Sequence, residues 1–330
     1  MRFCYQIHSH RSPEQIHRLT ATIKRYSPDS FVLISHDRAG ETLDIDSLEA
    51  MTDVAVLLHD AEYGSYTSVQ RYISSLSWMI DEGIEADWVV NLSGEDYPLV
   101  PPDLAEQEVV DSGKQGFMEH WEMLGPDAHW PRRRVISRYY YQHRLIRPLS
   151  ATQKQRLRPI QAVNRVQPYF RLHVAYGLVL GTRGDAPFGP DFRLYGGSNF
   201  ATLSWPLAAY LHEYLETHPE LVDYFRATLT PDEAVVKTVL CNAPEFRSGE
   251  WQIDPDCKRY IDFRNSKLNH PKWLGAEDLD RAFASGAHWA RKFDYPTSGD
   301  VLDVLDRRLE ELHAAPGAPG PPAVGPDVAV

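Results

Sequence analysis

An α/β fold built on a mostly parallel, doubly wound sheet is predicted by three features of the sequence. Short apolar runs rich in β-branched and aromatic residues recur at 2–7, 31–35, 54–58 and 88–92, helical patterns separate several of them, and the alternation holds to about residue 120. Parallel neighbours need crossovers of this kind, and ligands of such sheets bind outside the carboxyl ends of the strands. After the first strand, Ser12-Pro13-Glu14-Gln15 offers an N-cap, a proline at the first helical position and a capping-box Gln. Ile16, Leu19, Ile23 and Tyr26 then form one apolar helical face. Further along come a strand-like run at 176–180, a Gly-rich turn at Tyr195-Gly196-Gly197-Ser198, and helices from about Pro206 and Pro231. Leu302, Leu305, Leu309 and Leu312 close the pattern at helical spacing. Residues 1–313 are read as one domain; 314–330, with 5 Pro, 3 Gly and no aromatic residue, are read as a disordered tail.

Charge is segregated along the chain. Between Ala128 and Gly184 there is no Asp or Glu, while 12 Lys and Arg fall there, and all 46 Asp and Glu lie elsewhere. This basic stretch interrupts the strand–helix alternation and is read as an insertion at about 128–174. It is either a positive surface meeting an anionic acceptor, a phospholipid face or a diphosphate, or a solvated face packing on an acidic body. The 330-residue chain as a whole carries a formal charge of −12, the opposite of a general nucleic-acid binder, and its 43% hydrophobic content suffices for a sizeable core. No run approaches the length of a membrane span, and the N-terminus lacks a signal-peptide pattern, so a cytoplasmic protein without a transmembrane segment is expected, with peripheral membrane contact left open. Cys4, Cys241 and Cys257 form no C-x-x-C pair and read as buried reduced thiols.

Several generic motifs are absent from the sequence. It has no G-x-G-x-x-G after the first strand, no P-loop, no H-E-x-x-H and no G-x-S-x-G. His36-Asp37 and His59-Asp60 lack a compact third ligand, and no metal site is expected from them.

Five ordered segments nevertheless resemble the core-2/I-branching N-acetylglucosaminyltransferase and peptide xylosyltransferase family. They are Ser35-His36-Asp37; Tyr63-Gly64-Ser65-Tyr66-Thr67-Ser68-Val69; the run from Trp88 through Asn91-Leu92-Ser93-Gly94-Glu95-Asp96-Tyr97-Pro98; Tyr195-Gly196-Gly197-Ser198 through Thr230-Pro231-Asp232-Glu233; and Ala290-Arg291-Lys292-Phe293-Asp294. The resemblance implies a GT-A glycosyltransferase fold and inverting sugar transfer from a UDP-sugar, with N-acetylglucosamine or xylose as the sugar. Compared with animal members, the chain lacks their membrane anchor and many cysteines and looks like a bacterial relative.

Residue roles follow from the same resemblance. Glu233 matches the catalytic base, although Thr230-Pro231-Asp232-Glu233 is also a local capping box in which Glu233 would reach back to the Thr230 amide. Lys292 and Arg259 match the cations that stabilise the leaving diphosphate in place of a metal, since no D-x-D motif ends the fourth strand and Asp96 stands there alone. Asp37 is expected at the nucleotide, Asp96 at the donor, and Gly197 and Ser198 near the donor sugar. Glu119 matches an acceptor-binding carboxylate, with Asp232, Arg132 and Arg134 beside it. No cofactor is expected, the UDP-sugar being a co-substrate, and the acceptor is a glycan, peptide or small molecule. Two other readings stand beside this one: a catalytically silent relative that binds a glycan or nucleotide sugar, and a metal-dependent enzyme working through Asp96.

Overall fold

The computed structural model describes residues 1–62, 64–264 and 270–314; Tyr63 and the tail beyond residue 314 lie outside the described residues. The chain begins with β1 (Phe3–Ser9), α1 (Pro13–Tyr26), β2 (Phe31–Asp37), α2 (Ile45–Glu49), β3 (Val54–His59), α3 (Thr67–Asp81) and β4 (Trp88–Ser93). All four strands run parallel, in the spatial order β4-β1-β2-β3. Next come β5 (Asp96–Pro98), α4 (Pro102–Asp111), β6 (Gly116–Met118) and β7 (Trp121–Glu122).

The basic stretch folds as α5 (Arg132–Tyr139), β8 (Tyr141–Arg147), α6 (Ala151–Leu157), a 3-10 turn (Arg158–Arg165), β9 (Phe170–His173) and β10 (Leu178–Arg183). Its strands pair antiparallel as β8-β10-β9, apart from the main sheet. The strand expected at 176–180 therefore starts two residues later and belongs to this small sheet, because Gly177 (φ 106) turns the chain before Leu178. The remaining elements are β11 (Tyr195–Gly196), β12 (Ala201–Ser204), α7 (Trp205–Thr217), α8 (Pro219–Arg226), α9 (Val235–Asn242), α10 (Pro244–Ser248), β13 (Ile253–Asp254), β14 (Arg259–Ile261), α11 (Leu279–Ala284), β15 (Trp289–Arg291) and α12 (Tyr295–Ala314).

The main sheet has the order β13-β6-β12-β4-β1-β2-β3, and within it only β12 runs against its neighbours. It is thus mostly parallel and covered on both faces, as expected. The two-residue period of the strands sorts their side chains. Cys4, Phe31, Leu33 and Val89 point to a core completed by α3, α7 and α9, whereas Tyr5, Ile7, Val32, Ile34, Val90 and Leu92 point to a second completed by α1 and α12. All three cysteines are buried and free. Among the described residues no helix is long and apolar enough to cross a membrane.

α1 begins at Pro13 and buries Ile16, Leu19, Ile23 and Tyr26 as its periodicity requires, but the capping box does not form. Ser12 adopts a left-handed conformation (φ 53) instead of the extended one an N-cap needs, and neither polar atom of the Gln15 side chain has a hydrogen-bond partner among the described residues. The last helix buries Leu302, Leu305 and Leu309. It is tied to α1 by Arg18, which reaches Asp303 and Asp306 at 2.6 Å each, and to β5 by the Tyr97 hydroxyl, which donates to Asp306 at 2.7 Å. A third small sheet, β14-β15-β5, places 259–261 and 289–291 beside 96–98 at the carboxyl end of β4.

Candidate active site

Two polar constellations form at the carboxyl edge of the sheet. The first is built on the turn after β4. Gly94 lets this turn pass close to β1, since a Cβ there would stand 2.9 Å from the Ser9 Cβ. Glu95 is then met by three cations from distant elements: Arg11 at 2.8 Å, Arg291 at 3.3 Å and Lys292 at 4.0 Å. The Trp273 ring lies against two of them, with the Arg11 guanidinium 4.5 Å and the Lys292 ammonium 3.9 Å from its centroid. Burial lowers the Lys292 pKa, and Glu95 opposes that shift. Arg11 also faces Asp294 at 3.9 Å and Arg291 faces Asp96 at 3.5 Å, so Lys292, with Glu95 no nearer than 4.0 Å, is the least answered of the three cations and suits a bound anion such as a diphosphate.

Asp96 and Arg259 lie behind this cluster. Their side chains have no exposed surface, and Asp96 sits 3.7 Å from Arg259 and 3.5 Å from Arg291. Arg259 also donates to the Asn91 carbonyl at 2.8 Å and lies between the Phe200 and Trp289 rings, 5.5 Å from each centroid. Burial raises the Asp96 pKa, against the pull of Arg291 and Arg259. Arg259 and Asp96 thus face each other inside the fold, while Arg11 and Arg291 are the partly exposed cations of the cluster.

Asp37 ends β2, its carboxylate accepting from the Ala39 amide at 3.1 Å. His36 has both ring nitrogens engaged, with Ser9 Oγ at 2.8 Å and the Glu41 carbonyl at 2.7 Å, and His59 Nδ1 lies 2.8 Å from Ser35 Oγ. Arg71, buried beneath them, donates to the Ser9 carbonyl at 3.1 Å and to both the carbonyl and hydroxyl of Ser35, tying the ends of β1 and β2 together. Among the described residues no three His, Cys, Asp or Glu side chains gather as a metal site.

The second constellation surrounds a cavity of about 660 Å³ between the body of the protein and the basic subregion. Glu233 lines it from a 3-10 turn, Pro231–Glu233, entered through left-handed Thr230 (φ 51). That backbone conformation rules out the local capping box. The Glu233 carboxylate instead receives Arg138 Nη1 at 2.7 Å, and the same Nη1 donates to Thr230 Oγ1 at 2.9 Å. Tyr139 donates its hydroxyl to the Thr230 carbonyl at 2.9 Å, holding the turn from the other side. Asp232, next to Glu233, has its carboxyl pushed up to about 6, first by burial and then by the Glu233 charge, with Lys237 opposing. Burial lowers the Lys237 ammonium to about 8.

Glu119 follows β6 directly and accepts from the Ser198 amide at 2.7 Å. Gly197 donates its amide to the Glu233 carbonyl at 3.0 Å, and a Cβ there would lie 1.8 Å from the Glu119 carbonyl oxygen. The close approach for which this position needs glycine is therefore to the protein's own backbone. Gly197 and Ser198 stitch the Glu233 turn to the end of the sheet. Arg134 lines the cavity with its guanidinium 4.3 Å from the Trp130 centroid. Arg132, expected beside it, is exposed on the first turn of α5 and absent from the lining, while Arg133 and Arg138 are present. Arg138 was legible as the i+4 neighbour of Arg134 on one helical face. Arg11 and Trp273 carried no local signal.

The family model described as Core-2/I-Branching enzyme matches residues 3–285. Among individual relatives, beta-glucuronosyltransferase GlcAT14A of Arabidopsis thaliana is 28% identical over 264 residues, covering 77% of this chain and 49% of the relative. GlcAT14B of the same plant is 27% identical over 252 residues, covering 75% and 49%. The chain thus spans about half the length of the relatives it matches. Among solved structures, S. aureus TarS 1–349 in complex with UDP gives a TM-score of 0.29 at 14% identity over 42% of this chain and 39% of that one. The 4-diphosphocytidyl-2C-methyl-D-erythritol synthase of Anaerococcus prevotii DSM 20548 gives 0.34 at 10% identity over 85% and 94%. Scores at that level carry no argument about this chain. The family match takes in Arg11, Glu95, Arg138, Glu233 and Trp273 and ends before Arg291 and Lys292, and with it the chain belongs to the core-2/I-branching enzyme family.

Proposed function

We propose that this protein is an inverting, metal-independent glycosyltransferase that moves a sugar from a UDP-sugar to an acceptor hydroxyl. The observation that carries the reading is the orientation of Glu233: its carboxylate lines the cavity, held by Arg138, rather than turning back to cap its own turn. In that position Glu233 takes the proton of the acceptor hydroxyl as its oxygen attacks the anomeric carbon. The bond from that carbon to the β-phosphate oxygen breaks on the opposite face, which inverts the centre and releases UDP. Lys292, with Arg291 and Arg11, matches the charge that develops on the leaving diphosphate, work that a divalent ion does in other enzymes. Asp96 fits poorly as a metal ligand, because its carboxylate already faces Arg259 and Arg291. Asp37, at the end of β2, is assigned to the nucleoside, and Glu119 and Asp232 to the acceptor side. The donor panel comprises UDP-N-acetylglucosamine and UDP-xylose, from the motif resemblance, and UDP-glucuronate, from the relatives' names.

Calorimetric titration of UDP in excess EDTA tests the donor site. Saturable binding that weakens about tenfold or more in Lys292→Ala is expected, and binding that appears only when metal is restored overturns metal independence. Glu233→Gln is expected to bind UDP as before and to lose roughly a hundredfold or more in turnover; near-normal turnover with any donor of the panel removes Glu233 from the role of base.

A further inference from the structure

The cavity that holds Glu233 contains more positive charge than the protein's own carboxylates answer. Five arginines line it, and two have defined structural work. Arg138 pairs with Glu233 at 2.7 Å. Arg171 is buried, donates to the Gln167 and Phe170 carbonyls at 2.8 and 2.9 Å, and lies 4.6 Å from the Tyr141 centroid. The other three, Arg133, Arg134 and Arg165, have no side-chain hydrogen bond or ion pair within the described part of the chain; Arg134 Nε is enclosed without a partner. Of the two carboxylates on the lining, Glu233 is already matched by Arg138, and burial favours the protonated form of Asp232.

Three arginines facing one half-enclosed space repel one another until an anion enters. Their planar forks match carboxylate and phosphate oxygens in a way a neutral sugar cannot reproduce. They are also separated in the chain, Arg133 and Arg134 on α5 and Arg165 on the 3-10 turn before β9, so their convergence comes from the fold of the subregion rather than from a local charge run.

We infer that the cavity takes an anionic acceptor: a glycan whose carboxylate or phosphate groups lie against Arg133, Arg134 and Arg165 while the hydroxyl to be glycosylated reaches Glu233. The inference rests on the sugar-transfer reading and adds to it the chemical class of the acceptor.

Binding of three fluorescent oligomers to the full chain tests it: oligogalacturonate for carboxylate, oligo(glycerol phosphate) for phosphate, and a neutral galacto-oligosaccharide as reference. At least one anionic oligomer is expected to bind about tenfold or more tighter than the neutral one, with the gap closing in 0.5 M salt. The stronger of the two anionic arms identifies the acid. In the Arg133→Gln/Arg165→Gln variant, whose positions are both exposed, that preference is expected to fall about tenfold. Equal binding of neutral and anionic oligomers, or a preference untouched by salt and by the substitutions, overturns the inference. UDP titrated into the same unsubstituted protein separates the two levels: UDP binding without anion preference removes the acceptor class alone, and absence of UDP binding removes the sugar-transfer reading beneath it.

Discussion

Arg138 decides what Glu233 is able to do. Without it, the left-handed turn at Thr230 and the carboxylate at its end would lose the one cation they share; with it, both are held at the cavity wall by a single guanidinium. Asp96 shows the same division of labour at the other constellation. Its place in the motif looks like that of a ligand, and in the fold it is buried as the counter-ion of two arginines. Asp96→Ala leaves Arg259 buried without its charge partner, and a loss of about 3–5 kcal/mol in unfolding free energy is expected from urea denaturation. A stable variant with merely weaker UDP binding would return Asp96 to the role of donor ligand. Gly197 is explained by 1.8 Å of clearance to the Glu119 carbonyl oxygen, a distance no Cβ can occupy.

Elements carry their own pH dependence. In the small antiparallel sheet, His143 on β8 and His173 on β9 stack edge to face with centroids 5.1 Å apart. Burial lowers His143 to about 4 and His173 to about 3, and the two rings, if charged, would repel. An unfolded chain binds these protons near pH 6.5, so their contribution to stability is complete above 6.5 and is lost as pH falls from there toward 4 and then 3. At pH 5 the loss is roughly 2 kcal/mol per ring. The urea midpoint of the unsubstituted protein is expected to drop between pH 7 and pH 5, and that of His173→Gln to drop less. Equal drops would place the acid sensitivity elsewhere, for example at buried His8, whose ring burial lowers to about 3.

At the scale of the whole molecule, the two constellations share one wall. Trp273 stacks on Lys292 and Arg11, the Leu274 amide donates to the Lys292 carbonyl at 2.9 Å, and His270 on the same segment lines the arginine-rich cavity. Under the proposed function, donor and acceptor would meet along this shared wall, which suits in-line transfer. A ligand that binds only the folded chain stabilises all of it, so UDP at 100 times its Kd adds about 2.7 kcal/mol. A melting temperature raised by a few degrees with UDP in EDTA is expected, with about half that rise or less for Lys292→Ala at the same UDP concentration. An unchanged Tm in the unsubstituted protein would count against a UDP site.

What the sequence determined by itself was local or contiguous. The apolar runs placed β1 to β4, the 3.6-residue period placed the buried face of α1, and unbroken motifs brought Glu233, Lys292 and Asp37 to notice. Capping was misread at Ser12 and at Thr230 for one reason: both positions are left-handed, a backbone state that residue identity alone does not dictate for serine or threonine. Tertiary structure decided the pairings. Glu233 and Arg138 are 95 positions apart, and Arg259 and the Asn91 carbonyl 168 apart. No periodicity spans such separations, because these partners meet only after the sheet and the basic subregion have packed. Which cation faces a ligand and which is spent inside the fold is a question of burial, and burial belongs to the packed chain.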